Sequence, residues 1–141
     1  MTAANGARHL SAADRLERRA HRLAHGLVSL GADDTTTVVV ACCQSHQDDR
    51  QVALTAVAEV GCTALVLGEG GLAGDRRPDL VLACEEGLSR WQRLGIAARV
   101  VSEAPGTIWW KLLECRHPDR PLRPAAPGLP RVPVLAEKVA S

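Results

Sequence analysis

Apolar positions recur along this chain with two different periods. In "SAADRLERRAHRLAHGLVSLG", Leu16, Ala20, Leu23, Leu27 and Leu30 follow one another at spacings of four and three, one face of a helix. Ser11 with Asp14 resembles a capping box, and Gly31 is a stop signal. Arg15, Arg18, Arg19 and Arg22 fall on the opposite face. The pattern then changes. "TTTVVVACC", residues 35–43, is a β-branched run without alternation, which predicts a strand buried on both faces, as in a parallel sheet. "QDDRQVALTAVAEVG" predicts a helix, with Asp48 and Asp49 at its positive end and Gly61 closing it. "CTALVL" predicts a second strand, "GEGGLAGDRRP" a loop and "DLVLAC" a third strand. "EEGLSRWQRLG" predicts a helix, "AARVVSE" a fourth strand and "TIWWKLLECR" a short last helix after Pro105 and Gly106.

Strands alternating with helices imply an α/β fold: a three-layer sandwich around a small, mostly parallel sheet of about four strands. Between Leu67 and Asp79 the chain is too short and too rich in Gly, with Pro78, for a full crossover helix. That step is either a short crossover or a local antiparallel turn. Six of the eight prolines lie between Pro118 and Pro133. The expected organisation is therefore a disordered stretch at 1–9, one α/β domain at 10–117 and a Pro-rich tail at 118–141 that is extended or packed on the surface.

The order of these motifs resembles the opening of the adenylate-forming enzymes: acyl-CoA synthetases, aryl-acid ligases and peptide-synthetase adenylation domains. There a Leu-Thr/Ser-Tyr-x-x-Leu segment leads into an Arg-Ala-x-x-Leu-Ala helix. Leu10, Ser11, Leu16, Arg19, Ala20, Leu23 and Ala24 fit that pattern. "TTTVVVACCQS" lies where those families carry a strand ending Pro-Asn-Ser, and "VALTAVAEVGCTALVL" looks like their next helix and strand. The resemblance covers about residues 10–117. It implies an N-terminal subdomain truncated before the ATP-binding loop. No Ser/Thr/Gly-rich loop ending Pro-Lys-Gly occurs in these residues. Adenylation needs charge stabilisation around the phosphate. The expectation is that this protein does not adenylate on its own and uses no cofactor.

Composition narrows the remaining classes. Of 141 residues 46% are apolar, but aromatics are only 2%, so the core must be built from Val, Leu and Ala. The net charge of +1 supplies no field to steer nucleic acid or a membrane surface. Basic charge is almost all Arg, with Lys111 and Lys138 the only lysines, a usage typical of high-GC bacterial, for example actinobacterial, genomes. The N-terminus lacks an apolar signal region and no stretch is long enough to span a membrane, so a cytoplasmic location is expected. The five cysteines are then expected as reduced thiols.

Candidate chemistry concentrates in "VVVACCQSHQDD". In open parallel sheets, ligands bind beyond the carboxyl ends of strands. Cys42, Cys43 and His46 fall at such an end, and Cys84 follows the third strand. Cys43 with His46, and Asp49 beside them, are the candidate catalytic residues, because a base next to a thiol makes it a nucleophile. Cys43, His46 and Cys84 also have the composition of a zinc site. Against both, Cys42 and Cys43 point to opposite faces, no CxxC pair exists, and buried cysteine is commonly a small hydrophobe. The first reading is thus a strand end whose polar residues start a helix, with no metal site.

The other motifs read as structural. His21 and His25 stand at i and i+4 without a third ligand. "GEGGLA", Gly68–Ala73, matches a dinucleotide fingerprint but leads into no helix before Pro78. Trp109 and Trp110 are adjacent on a short helix, so one can enter the core while the other stays near the surface; core packing is the first reading and an interface role the alternative. "RHPDRPLRP" reads as a solvated tail. A subdomain cut from a larger enzyme leaves an apolar flank to cover. The leading functional reading is an accessory or interaction protein in bacterial acyl or specialised metabolism. It would self-associate or bind a ligase, carrier protein or synthase. The alternatives are a small enzyme using Cys43 and His46 on an acyl or polyketide-like ligand, and an inactive remnant.

Overall fold

The computed structural model of the chain describes residues 11–67 and 77–122. Helix α1 (Ala12–Ser29) starts where the Ser11 hydroxyl accepts the Asp14 amide at 3.0 Å. Strand β1 (Thr37–Ala41) is buried along its whole length. A 3₁₀ turn (Gln44–His46) leads into α2 (Gln47–Val60), which Gly61 closes in the left-handed conformation at φ 94°. Then come β2 (Thr63–Val66), β3 (Leu80–Ala83), α3 (Glu85–Leu94), β4 (Arg99–Ser102), β5 (Ile108–Trp109) and α4 (Trp110–Cys115).

The strands form one sheet in the order β2-β1-β3-β4-β5, and every pairing is parallel. One detail differs from the sequence expectation, and one open alternative is decided. The sheet has five strands, because Ile108 and Trp109 pair with Val101 and Ser102 instead of opening the last helix. A tight turn causes this. The Thr107 hydroxyl donates to the Ala104 carbonyl at 2.7 Å and lies 2.6 Å from the Ser102 hydroxyl, while Gly106 takes φ 83°. A two-residue strand leaves no periodicity to read. The step from β2 to β3 is a parallel crossover past β1, not an antiparallel turn, since both strands pair in parallel with β1. The Gly68–Ala73 motif lies outside the described residues, as does the tail beyond Leu122.

The sheet is the middle of three layers. On one face Val38, Val40, Leu80, Leu82 and Val101 pack against Leu23 and Leu27 of α1, Val52 and Val57 of α2, and Trp110 and Leu113 of α4. On the other, Val39, Ala41, Val81 and Ala83 meet Leu88 and Trp91 of α3. Each fully buried Leu or Val contributes roughly 1.5–3 kcal/mol, so many aliphatic side chains replace the missing Phe and Tyr.

A polar knot joins the three helices of the thicker layer. Arg19 donates to Asp49 at 2.8 Å and to both carboxylate oxygens of Glu114 at 2.9 and 3.0 Å. The Trp110 indole N–H donates to Glu114 at 2.6 Å. These bonds satisfy a carboxylate that is only 7% exposed, which is what makes its burial tolerable. The first tail residues dock on the same helices: the Leu122 amide donates to Glu59 at 2.8 Å, and Asp119 lies 3.6 and 3.5 Å from Arg18 and Arg22. Among the described residues no helix is long and apolar enough to cross a membrane.

Candidate functional site

Strands β1 and β3 run in register, with Ala41 opposite Ala83. Cys84, one residue past β3, and Cys43, two residues past β1, therefore leave the sheet as diagonal neighbours at its carboxyl edge. Gly87 makes the approach closer still. A Cβ there would stand 1.5 Å from the Ala41 carbonyl oxygen, so only glycine lets α3 begin directly over the end of β1. Cys84 caps α3 through its sulfur, which accepts the Gly87 amide at 3.2 Å and the Cys43 amide at 3.3 Å.

Cys43 is extended, and the 3₁₀ turn after it folds the chain back, with the His46 amide donating to the Cys43 carbonyl at 3.0 Å. The turn returns the imidazole to the thiol: Cys43 Sγ lies 3.0 Å from His46 Nδ1. Ser45 Oγ stands 3.0 Å from the same sulfur. From α3, Glu86 Oε1 accepts from Cys43 Sγ at 2.9 Å and from Ser45 Oγ at 3.1 Å. Cys84 Sγ is 3.6 Å from Cys43 Sγ. The amino ends of α2 and α3 both converge here, and their dipoles favour negative charge.

These contacts move protons. Burial and the bond to Glu86 push the Cys43 thiol up, but bonds from Ser45, His46 and Cys84 prevail and hold it below the ordinary thiol value. The bond to Cys43 raises His46 above an ordinary imidazole against the opposing effect of burial, and the charges of Cys43, Asp49 and Glu86 add to the rise. Glu86 is lowered by hydrogen bonds from Cys43 and Ser45. The neighbouring Cys42 behaves oppositely: burial pushes its thiol up to about 12, helped by the charge of Cys84. Adjacent cysteines thus divide into a buried core thiol held high and a half-buried one held low.

The structure brings Cys43 and His46 together and places Asp49 elsewhere. Asp49 is held by Arg19, and its effect on His46 is electrostatic. Ser45 and Glu86 complete the cluster. Neither stands out in the sequence, because Glu86 reads as an ordinary acid at a helix start and only the β1–β3 register carries it to Cys43. Cys43, His46 and Cys84 offer three donor atoms within 4.8 Å of one another, the one such metal-type set among the described residues. Ligands on a tetrahedral zinc stand about 3.5 Å apart or more, given Zn–S and Zn–N lengths of roughly 2.3 and 2.0 Å. The 3.0 Å between Cys43 and His46 is instead a direct hydrogen bond.

His21 and His25 do not converge. His21 Nδ1 pairs with Glu59 at 2.7 Å, and His25 Nε2 bonds the Arg120 carbonyl at 3.0 Å. Trp110 is 3% exposed in the core, while Trp109 is 55% exposed on β5. A hollow of about 250 Å³ lies at the opposite end of the sheet, between Leu30, Thr36, Asp79 and Arg99. Its charged groups are already used: Asp79 accepts the Thr37 amide and Arg99 donates to the Leu30 carbonyl.

No family model and no curated protein matches the chain. Solved structures do. A benzoate CoA ligase from Burkholderia xenovorans LB400 superposes with a TM-score of 0.62 at 19% identity, over 80% of this chain and 24% of the ligase. The anthranilate CoA ligase AuaEII, solved with anthranoyl-AMP, gives 0.59 at 14% identity over 84% of this chain and 23% of its own. The luciferase-like enzyme of the mealworm Zophobas morio gives 0.57 at 16% identity over 70% of this chain and 26% of its own. The chain spans about a quarter of the length of each. A three-layer parallel α/β unit that superposes on three such enzymes has the fold of a subdomain of the adenylate-forming enzymes.

Proposed function

We propose that this chain is a non-adenylating protein that works through a thiol, using the adenylate-forming scaffold to hold Cys43 and His46 at the carboxyl edge of the sheet. The single observation that carries this is the 3.0 Å contact between Cys43 Sγ and His46 Nδ1, between two helix amino ends. Such a pair is a nucleophile in waiting. Its substrate class is an activated acyl group such as a thioester. The Cys43 thiolate adds to the carbonyl carbon, a C–S bond forms, and the departing thiolate takes the proton held on His46. Ser45 and Glu86 orient the pair, and Asp49, fixed by Arg19, favours the imidazolium. A working thiol fits a reducing compartment, the cytoplasm, and acyl chemistry fits bacterial acyl or specialised metabolism.

The test is incubation with a panel of aryl and alkyl acyl-CoA thioesters, read by intact mass and released CoA. A single acyl adduct on Cys43, absent from Cys43→Ser, is the expected result. No adduct with any thioester, together with a Cys43 that alkylates no faster than free cysteine, removes the reading.

A second reading is an accessory protein that binds a copy of itself or a ligase, carrier protein or synthase. The observation favouring it is an apolar edge: Trp109 is 55% and Leu112 38% exposed beside β5, which pairs on one side only among the described residues. Sedimentation of the protein alone and with such partners tests it, with Trp109→Ser as the control. A strict monomer that captures none of them rules it out.

A further inference from the structure

We propose that Cys43 and Cys84 form a reversible redox pair: a hydroperoxide oxidises Cys43, and Cys84 closes the disulfide. This rests on the reading of Cys43 as a reactive thiolate and adds a second activity, or an off-switch, to the same site. The two sulfurs already touch at 3.6 Å. Their residues follow the ends of paired strands, Ala41 opposite Ala83. Continuing that register sets Cys84 opposite Cys42 and one residue short of Cys43. The diagonal across strands about 4.8 Å apart with a rise of about 3.3 Å is roughly 5.8 Å, inside the range of roughly 4.4–6.8 Å that a disulfide needs between Cα atoms. The bridge therefore asks for side-chain rotation and little backbone movement.

The pair is asymmetric in the way such chemistry requires. Cys43 is half-buried and reachable, beside an imidazole and a hydroxyl. Cys84 is buried and shielded from external reagents, with two backbone N–H groups aimed at its sulfur. An oxidant thus meets Cys43 first, and Cys84 is the thiol at hand to resolve it. Of the other cysteines, Cys42 and Cys62 are buried and Cys115 is exposed.

The steps balance. The Cys43 thiolate attacks the distal peroxide oxygen; an S–O bond forms, the O–O bond breaks, and the leaving alkoxide or hydroxide takes the proton from His46. Sulfur loses two electrons and the peroxide gains them. Cys84 then attacks the sulfenic sulfur. The S–S bond forms, the S–O bond breaks, and the hydroxide leaves as water with the Cys84 proton.

The experiment treats the reduced full chain with stoichiometric hydrogen peroxide and reads intact mass and a peptide map. Wild type is expected to lose two hydrogens, with Cys43 and Cys84 in one linked peptide that dithiothreitol releases. Cys84→Ser keeps a cap on α3 and is expected to gain one oxygen instead, trapped by dimedone on Cys43. Cys115→Ser is expected to behave as wild type. Failure to link Cys43 to Cys84, linkage through another cysteine, or co-purifying zinc that blocks oxidation overturns the proposal. Fast alkylation of Cys43 without a bridge sinks the redox pair alone. Slow alkylation sinks the thiol reading beneath it.

Discussion

Gly87 at the start of α3 lies directly against the carbonyl of Ala41 at the end of β1, where a side chain would stand 1.5 Å from the oxygen. This contact fixes how close Cys84 and Glu86 come to Cys43. Gly87→Ala is expected to push α3 off the sheet, lowering stability by about 3 kcal/mol and slowing Cys43 alkylation. Urea unfolding and thiol kinetics on the same sample check both. Unchanged thiol kinetics would show that the cluster does not depend on this approach.

The Cys43–His46 pair makes thiol reactivity depend on pH. Cys43 is lowered, so its thiolate is lost as pH falls through that lowered value. His46 is raised, so its imidazolium is lost as pH rises through that raised value. Both shifts favour the thiolate–imidazolium form over the neutral pair, with Ser45, Cys84, Glu86 and Asp49 as the groups that face it or act on it. Iodoacetamide rates at Cys43 should hold to lower pH than for free cysteine. His46→Ala should shift the profile upward and slow the reaction at neutral pH about tenfold.

Half-buried Arg19 and buried Glu114 stand as a pair with Trp110 as a third member. Glu114→Ala leaves a guanidinium and an indole N–H without this partner. It should cost about 3 kcal/mol or more, read as a lower denaturant midpoint. Because Arg19 also holds Asp49, a modest change in the pH profile of Cys43 should accompany it.

The two tryptophans should separate cleanly. Trp110→Ala empties a core position and should cost about 3 kcal/mol or more. Trp109→Ala removes an exposed ring and should change monomer stability by no more than about 0.5 kcal/mol. Calorimetry distinguishes them, and sedimentation shows whether Trp109 carries association.

The helices α1 and α2, the strands β1 to β4 and the parallel α/β class were all legible, because each is long or apolar enough for its period to show. Cys43 and His46 were legible as a pair because a strand end followed by a turn brings i and i+3 together. Asp49 was legible as a helix-start acid, but its hold on Arg19 was not. β5 was hidden because two residues carry no pattern, and it forms only when the Ser102–Thr107 turn lays Ile108 beside Val101.

By itself the sequence determined which segments are buried, through the periods of Leu, Val and Ala, and where helices start and stop, through Ser11, Gly61 and the paired acids. Only tertiary structure decided what Cys43 meets. Cys84, Glu86 and Gly87 lie some forty residues away along the chain. They reach Cys43 through strand register and one close backbone contact. Periodicity records what a residue's own turn or strand requires of it, and carries no record of which other strand will lie alongside.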